Sequence, residues 1–254
     1  MIGIATTIFW AFLIIFSISA AYSVKDFQFD FGDPQMSIAL DNKLLFSLPI
    51  HIQNRGLYNL GSFNVTTDIS DANGSPIAHG STFVQTIRKG ERVTVFHNVT
   101  MDINDVIQNS SSYLFSDSQL NIAESVGMSL AELIPVQASA NLSYPWGAPL
   151  YNFALGAPAY EPYNITHIKV TVPISFENHA FFDLAGDLQI NMYNSQDLSL
   201  GAGTATINAP QHSPYSGNIE LYIAMTPQAT PSGYFELTLH AQYFNYGPWV
   251  ILYG

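Results

Sequence analysis

The chain has 254 residues, of which 48% are hydrophobic and 10% charged, so we expect a folded core beneath a surface with unusually little charge. The net charge of −12 and a total of seven lysines and arginines exclude a nucleic-acid-binding surface. The absence of cysteine excludes disulfides, thiolate zinc sites and a cysteine nucleophile.

The chain begins with an apolar segment. No charged side chain occurs between Ile2 and Ala21, and this run matches the roughly 20 residues that a helix needs to cross a bilayer. We predict a transmembrane helix or signal anchor over residues 1–24, with membrane lipid as its partner and the rest of the chain outside the cell. Removal of the segment as a signal peptide is the alternative, since SISAAYS offers small residues of the kind that signal peptidase accepts.

One strand pattern occurs twice. LLFSLPIHIQN and IKVTVPISFEN alternate apolar and polar residues, carry proline at the sixth position and end in asparagine. Because a proline lacks the N–H of a central ladder, Pro49 and Pro173 predict an edge or bulged strand in each copy. Further similar segments, with one inserted residue in the second copy, predict a tandem duplication. The aligned segments are 44–54 with 168–178, 27–34 with 151–158, and 119–123 with 236–240.

Each repeat alternates with a period of two, which is typical of strands with one buried face. In the first repeat we predict strands over about 62–70, 77–87 and 92–101, followed by a short helix that Asp102 or Asn104 caps. The fold class is therefore all-β: two tandem antiparallel β-sandwiches of about seven strands each, with one short helix in the first. The predicted segments are the N-terminal helix (1–24), domain 1 (26–143), a connector and lead-in strand rich in proline and aromatic residues (144–167), and domain 2 (150–254).

Six N-x-S/T sequons lie downstream of the apolar segment. In each case the apolar–polar alternation or a turn leaves the asparagine room for a sugar. This placement indicates a glycoprotein whose strands face the outside of the cell. The candidate glycosylation sites are Asn64, Asn73, Asn98, Asn109, Asn141 and Asn164.

No sequence motif indicates a catalytic, metal or cofactor site. The seven histidines are scattered, and His97, on the inward side of its strand, is interpreted as a hydrogen-bonded core residue. Residues 68–74 have part of a calcium-loop spacing, but the missing bidentate glutamate favours a hairpin turn. The basic group at 88–92 is interpreted as a hairpin tip. We predict no enzyme activity, no cofactor and no metal site.

The run SFNVTTDISDANGSPIAHGSTFVQTIRKGERVTVFHNVTMDINDVI resembles the type 2 late-embryogenesis-abundant domain, also called the water-stress and hypersensitive-response domain. The resemblance covers about 44–126 and, more loosely, 168–240. It implies a seven-stranded sandwich with one helix, no enzyme activity, no cofactor, and an association with desiccation or stress protection. The combination of an apolar N terminus, sequons and scarce charge is also similar to archaeal surface proteins. The shared marks are Asn54, the turn at Asp71, Asn73 and Gly74, the small residues Ala78 and Gly80, and Ile87 with Gly90.

Three functional hypotheses follow from these patterns. The first is a non-catalytic, membrane-anchored cell-surface protein with a structural, protective or partner-binding role, whose partners are other proteins or further copies of itself. The second is a subunit of an extracellular filament or surface coat, in which the aromatic-rich terminal strand within 234–253 completes the sheet of a neighbour. The third is a carbohydrate-binding surface protein that uses exposed aromatic side chains.

Overall fold

A computed structural model describes residues 14–16, 18–19, 25–33, 35–38, 43–225 and 232–254. The described chain is nearly all β, as predicted, and forms four antiparallel sheets of four strands each. It divides into two compact units. Unit 1 comprises Met1–Met101 with Leu120–Tyr144, and unit 2 comprises Asp102–Gln119 with Pro145–Gly254.

Unit 1 contains two sheets with a shared apolar core. In the first sheet, β3 pairs with β1, β2 and β6; the second sheet has the order β5–β4–β7–β8. Ile50 and Ile52 of β3 belong to the same buried cluster as Phe63 and Val65 of β4, so the inner faces of the two sheets pack against each other. The strands are β1 (Phe27–Phe31), β2 (Gln35–Ile38), β3 (Lys43–Asn54), β4 (Leu60–Ser70), β5 (Pro76–Ile87), β6 (Arg92–Asp102), β7 (Ser118–Leu130) and β8 (Ile134–Trp146).

Unit 2 repeats this arrangement strand for strand. β11 pairs with β14 along its whole length, and with β9 and β10 in succession on its other side. The second sheet has the order β13–β12–β15–β16. The strands are β9 (Tyr151–Leu155), β10 (Ala159–Pro162), β11 (His167–Asn178), β12 (Leu184–Asn194), β13 (Ser199–Ala209), β14 (Ser213–Ala224), β15 (Gly233–Ala241) and β16 (Asn245–Tyr253).

The described part of each unit therefore has eight strands, where about seven were predicted. The extra strand arises because the lead-in segment does not form one strand. It forms two short ones, β1 and β2 in unit 1 and β9 and β10 in unit 2, which occupy successive stretches of the same side of β3 or β11.

The asparagine that ends each repeated strand is fully buried and organises the following loop. Asn54 donates from Nδ2 to the carbonyl oxygens of Tyr58 and Ile87, both at 2.9 Å, and its Oδ1 accepts from the N–H of Gly56 at 3.0 Å. Asn178 makes the same set of bonds in unit 2. Its partners are Phe182 O (3.0 Å), Ala209 O (2.9 Å), Pro210 O (3.2 Å) and Ala180 N (3.0 Å).

Pro49 and Pro173 lie in strands with neighbours on both sides, so the predicted edge position is wrong. For the predicted alternative, a bulged strand, β11 shows a register shift against β9 between Ser175 and Glu177, and β3 shows none against β1 or β2. The N–H of Gly32 donates to the carbonyl oxygen of Pro49 at 2.9 Å, and that of Gly156 to Pro173 at 2.8 Å. Both glycines lie between the two short strands. At this gap no strand needs the N–H that proline lacks, so the proline interrupts no ladder. A Cβ at Gly32 would meet the Pro49 ring at 2.8 Å, which explains why glycine faces the proline.

A β-bulge in β4 lies where the first repeat is one residue shorter than the second, and it keeps the inward positions of unit 1 in phase. Ser62 has a φ of 51°, and β4 has one more residue here than the facing β7. Leu60 and Phe63 are both buried although they are only three residues apart. In unit 2, Leu184 and Leu188 are four residues apart and β12 alternates without a bulge against β15.

The predicted alignment of 119–123 with 236–240 is wrong in register. In unit 1, Val126 faces Val65 across the β4–β7 ladder. In unit 2, Leu237 faces Ile190, the equivalent of Val65. Leu237 therefore corresponds to Val126, six residues beyond the predicted partner Leu120.

The predicted short helix is present as α1 (Ile103–Asn109), and a second short helix, α2 (Ser112–Phe115), follows it. Asp102 caps α1 by accepting from the backbone N–H groups of Asn104 (2.9 Å) and Asp105 (3.2 Å). The sequence places this helix in domain 1 (26–143), whereas the structure groups it with unit 2.

Aromatic packing explains why the helices belong to unit 2. Phe115 of α2 makes edge contacts with Tyr246 and Trp249 of β16, at ring-centroid distances of 5.8 and 6.0 Å. Trp146 is 1% exposed and donates from its indole nitrogen to the carbonyl oxygen of Tyr113 at 2.8 Å. The predicted connector is thus part of the core of unit 2 at this point.

The predicted transmembrane helix (1–24) lies mostly outside the described residues. Residues 14–16 and 18–19 are helical, and Ser19 is hydrogen-bonded to Tyr58 at 2.7 Å. Within the described ranges, no helix is long and apolar enough to span a bilayer.

Candidate functional site

A cavity of about 270 Å³ lies at one end of unit 1, with both sheets contributing to its wall. The wall is mainly apolar and comes from the start of β3, the ends of β4, β6 and β8, and the start of β7. Phe46, Leu48 and Val99 line it from one sheet, and Ile69 and Leu120 from the other. Thr67, His97 and Glu124 form a polar end.

A chain of hydrogen bonds joins the polar residues of this cavity. The Thr67 hydroxyl donates to Glu124 Oε1 at 2.7 Å. Because that hydroxyl has one proton, the bond of 2.8 Å between Thr67 Oγ1 and His97 Nε2 has the imidazole as donor. Neutral His97 then accepts at Nδ1 from the Thr82 hydroxyl at 2.9 Å, which is shorter than the distance of 3.4 Å from that hydroxyl to Phe96 O. The four side chains are therefore fully consistent with one tautomer of His97.

His97 is the buried core histidine that its inward position predicts. It is 3% exposed, and this burial lowers its pKa below 6.5 although the neighbouring Glu124 carboxylate acts in the opposite direction. Thr82, the hydroxyl that a histidine base would activate, bonds the far side of the ring and is not on the cavity wall. The arrangement is suited to holding a ligand rather than to nucleophilic attack.

Unit 2 fills the equivalent space with apolar atoms. The strand pairing shows which residues of the two units are equivalent. Val65 of unit 1 and Ile190 of unit 2 are equivalent, and they face Thr82 and Gly203, respectively, on the neighbouring strand. In unit 2, Ile219 and Leu221 occupy the space next to Gly203 where a side chain would stand. By these ladders Thr67, Thr82 and Glu124 correspond to Met192, Gly203 and Phe235. His97 corresponds to Ile219, because His97 lies beside Thr82 as Ile219 lies beside Gly203.

The sequence patterns did not single out Thr67, Thr82 or Glu124 as site residues, although Thr67 and Thr82 lie in the predicted strands 62–70 and 77–87. A signal was present, because all three lie on the inward parity of neighbouring strands, where apolar residues are expected. What the sequence lacks is the register of β7, which brings Glu124 opposite Thr67.

The loop at 68–74 is confirmed as a hairpin turn between the paired strands β4 and β5. Asp71 Oδ1 accepts from the backbone N–H groups of Asn73 (2.9 Å) and Ser75 (2.7 Å), and Gly74 has a φ of 85°. The predicted hairpin tip at 88–92 is wrong, because this turn, in which Gly90 has a φ of 82°, connects β5 of one sheet to β6 of the other. Arg92 is exposed and donates to Gln53 at 3.0 Å.

The sequon asparagines differ in their surroundings. Asn64 is half-buried, and its side-chain oxygen lies over Gly127, so close that a Cβ there would clash. Asn164 is at the opposite extreme, in an exposed turn where its Oδ1 accepts from the N–H and the hydroxyl of Thr166, at 2.8 and 2.9 Å. The exposed sequon asparagines are Asn73, Asn98, Asn109, Asn141 and Asn164.

A cluster of ionisable groups in unit 2 has a structural role. His179 bonds Asp117 through Nδ1 (2.8 Å) and Glu177 through Nε2 (3.1 Å), and Tyr151 stacks on its ring. The bond to Asp117 raises the pKa of His179 above 6.5. Asp117 also accepts from the N–H of Ala148 at 2.9 Å, so the cluster fixes the end of the helical segment to β11. No group of three or more potential metal ligands occurs in the part of the chain that the structure describes.

Comparison with known proteins assigns no family. No model of a known protein family matches the chain, and no curated protein does. Solved structures with distant likeness are the ApaA protein from Bordetella pertussis (10% identity, 49% of this chain and 94% of that one, TM-score 0.31) and red sea bream transglutaminase (12%, 90% and 31%, 0.31). A third is a family 2 glycosyl hydrolase from Bacteroides cellulosilyticus (9% identity, 83% of this chain and 28% of that one, TM-score 0.32). These values identify neither an activity nor a ligand.

Proposed function

We propose that the chain is a non-catalytic cell-surface protein made of two tandem β-sandwich domains, similar to the type 2 late-embryogenesis-abundant domain and anchored by its N-terminal segment. Its role is structural or protective, or consists of binding a partner. The repeated frame supports the tandem part of the proposal. In both units a buried asparagine, a strand proline and the glycine that faces it have the same contacts.

The observation that carries the surface assignment is the exposure of the sequon asparagines. Five of the six are exposed, although they lie on different strands and turns. The surface charge supports the same assignment, because a protein with only 10% charged residues suits a surface that is kept hydrated by sugars.

The test is to label intact cells with a membrane-impermeant biotin reagent and to measure the intact mass of the extracted protein. We expect labelling, masses above that of the bare chain, release by detergent only, and retention of residues 1–24. A protein that is released without detergent, carries no glycan and is protected from the reagent would contradict the proposal.

The edge strand β8 favours the filament hypothesis as a second candidate. β8 has 13 residues at the edge of its sheet, and all those between Pro135 and Pro145 are exposed. A long exposed edge is a template for pairing with another chain. A lysine at Leu142 should block such pairing, so the variant Leu142→Lys should be monomeric where the wild-type chain is polymeric by electron microscopy. A wild-type chain that stays monomeric at all concentrations rules this candidate out.

A further inference from the structure

We propose that the cavity of unit 1 binds a small apolar molecule that carries one hydrogen-bond donor. This proposal does not depend on the cellular location of the protein. It is argued from the size of the cavity, from the chemistry of its polar end and from the contrast with unit 2.

The size of the cavity limits the ligand. An apolar cavity of about 150 Å³ accepts a benzene molecule, so the volume of about 270 Å³ suits a ligand of roughly ten non-hydrogen atoms. Phe46, Leu48 and Leu120 are among the residues that line it, and they offer contacts to an aromatic or branched hydrocarbon body.

The Thr67, His97 and Glu124 side chains can accept hydrogen bonds from a ligand and have no free proton to donate, whereas the other polar residues of the wall are Ser47 and Tyr144. The Thr67 hydroxyl gives its proton to Glu124, and the Nε2 proton of His97 is bonded to Thr67. Within the described residues, Glu124 accepts the Thr67 hydrogen bond through Oε1 alone. Its second carboxylate oxygen can therefore accept a hydrogen bond from a ligand. A carboxylate binds a hydroxyl or ammonium donor and repels an anion. Phenols, alcohols and amines fit this end, and carboxylic acids do not.

The second unit indicates that the fold does not need this cavity. The same strands pack with Met192 and Phe235, each 1% exposed, where unit 1 has Thr67 and Glu124. A polar network in a core is costly unless all its groups are paired, and apolar side chains are a stable alternative at these positions. The polar network is therefore a specific property of unit 1.

The test uses two probes of the same shape with ten non-hydrogen atoms each, 4-propylphenol and 4-propyltoluene. Binding to the purified full-length chain is followed by the NMR signals of the His97 ring and the Thr67 methyl group, and equilibrium dialysis fixes the free concentration of each probe. We expect saturable shifts with 4-propylphenol and at least about tenfold weaker binding of 4-propyltoluene, because the toluene leaves the carboxylate without a donor.

Variants separate the cavity from its polar end. Thr67→Met combined with Glu124→Phe introduces the residues of unit 2 and should abolish binding of both probes. Glu124→Gln keeps the shape and should reduce the preference for the phenol, which protects the test if the double variant fails to fold. Glu161→Gln, an exposed glutamate of β10, is the matched control and should bind like wild type.

Three results would overturn the proposal. The first is the absence of saturable shifts with either probe in the wild-type chain. The second is unchanged binding in a folded double variant. The third is equal affinity for the two probes with no effect of Glu124→Gln, which would refute the stated ligand class.

Discussion

The buried asparagines Asn54 and Asn178 provide a matched pair of perturbations, one in each unit. Both are 0% exposed, and both bond backbone groups of the loop that follows and of the neighbouring strand. Asn54→Ala removes three bonds, two donated by Nδ2 and one accepted by Oδ1. The backbone groups left behind are inside the unit, where water does not replace the lost partner.

The expected magnitude follows from these bonds. A net value of about 1 kcal/mol for each buried hydrogen bond gives a loss of about 3 kcal/mol in the free energy of unfolding of unit 1. Asn178→Ala should reduce the free energy of unfolding of unit 2 by a similar amount. Since a domain has a total of roughly 5–15 kcal/mol, either loss is large enough to measure directly.

Tryptophan fluorescence separates the two units in a urea titration. Trp146 and Trp249 both belong to unit 2, so in a Trp10→Phe background the tryptophan fluorescence reports the unfolding of that unit. Hydrogen exchange followed by mass spectrometry reports β4 and β5 of unit 1. Asn178→Ala should shift the fluorescence transition to lower urea, while Asn54→Ala should accelerate exchange in unit 1.

The control is Asn121→Ala, because Asn121 is exposed and donates one bond to Asp71 O at 3.0 Å. It should change the free energy of unfolding by no more than about 0.5 kcal/mol. The reasoning is refuted if Asn54→Ala and Asn178→Ala also stay within that limit. It is equally refuted if one asparagine matters and the other does not, since the three bonds of Asn54 all have equivalents at Asn178, which has one further bond to Pro210 O.

Three shorter predictions concern protonation, glycosylation and packing. Unit 2 should be most stable below pH 6.5 and should lose stability as the pH rises through the raised pKa of His179. Unit 1 should instead lose stability as the pH falls below 6.5, because burial lowers the pKa of His97. Urea titrations at several pH values measure both slopes. Glycopeptide mass spectrometry should find sugar at Asn164 and none at Asn64, whose side chain is packed. Gly147→Ala should destabilise unit 2 strongly in thermal unfolding, because its Cβ would overlap a backbone oxygen.

Each of these has its own control. His179→Gln should flatten the pH slope of unit 2 alone, and a slope that is unchanged contradicts the assignment. Full occupancy of Asn64 would mean that its packing does not restrict the sugar. Gly74→Ala places a Cβ in open space but at a positive φ, so its cost should be modest, and a larger cost than that of Gly147→Ala would reverse the argument.

The strand pattern was predictable from the sequence because alternation and repetition are local properties. The apolar positions of β3 and β11 are inward, and α1 begins at Asp102 as its side chain suggests. The central position of Pro49 was not predictable, since it depends on a gap between β1 and β2, and periodicity does not show that the preceding segment breaks into two strands.

Register and unit membership required the structure. The bulge at Ser62 shifts β4 by one residue against β7, and periodicity alone cannot place such a shift. The helical segment follows β6 in the chain, but its aromatic residues pack on β16 in unit 2. The polar cavity was missed for the same reason, because Thr67 and Glu124 come together only through the β4–β7 ladder.

The polar cavity leads to a last prediction about stability. If its residues are present for a ligand, they carry a cost that unit 2 does not, since hydrogen-bonded polar groups in a core are less stabilising than well-packed apolar ones. Thr67→Met combined with His97→Ile and Glu124→Phe, which leaves no member of the network unpaired at Nε2, should therefore slow hydrogen exchange in β4 and β7 and raise the free energy of unfolding of unit 1 by about 1 kcal/mol. The matched single variant Thr67→Met, which leaves Glu124 and His97 without their bonds to Thr67, should lower it. A triple variant less stable than wild type would mean that the network supports the fold of unit 1, and that the contrast with unit 2 reflects a different core rather than a binding site.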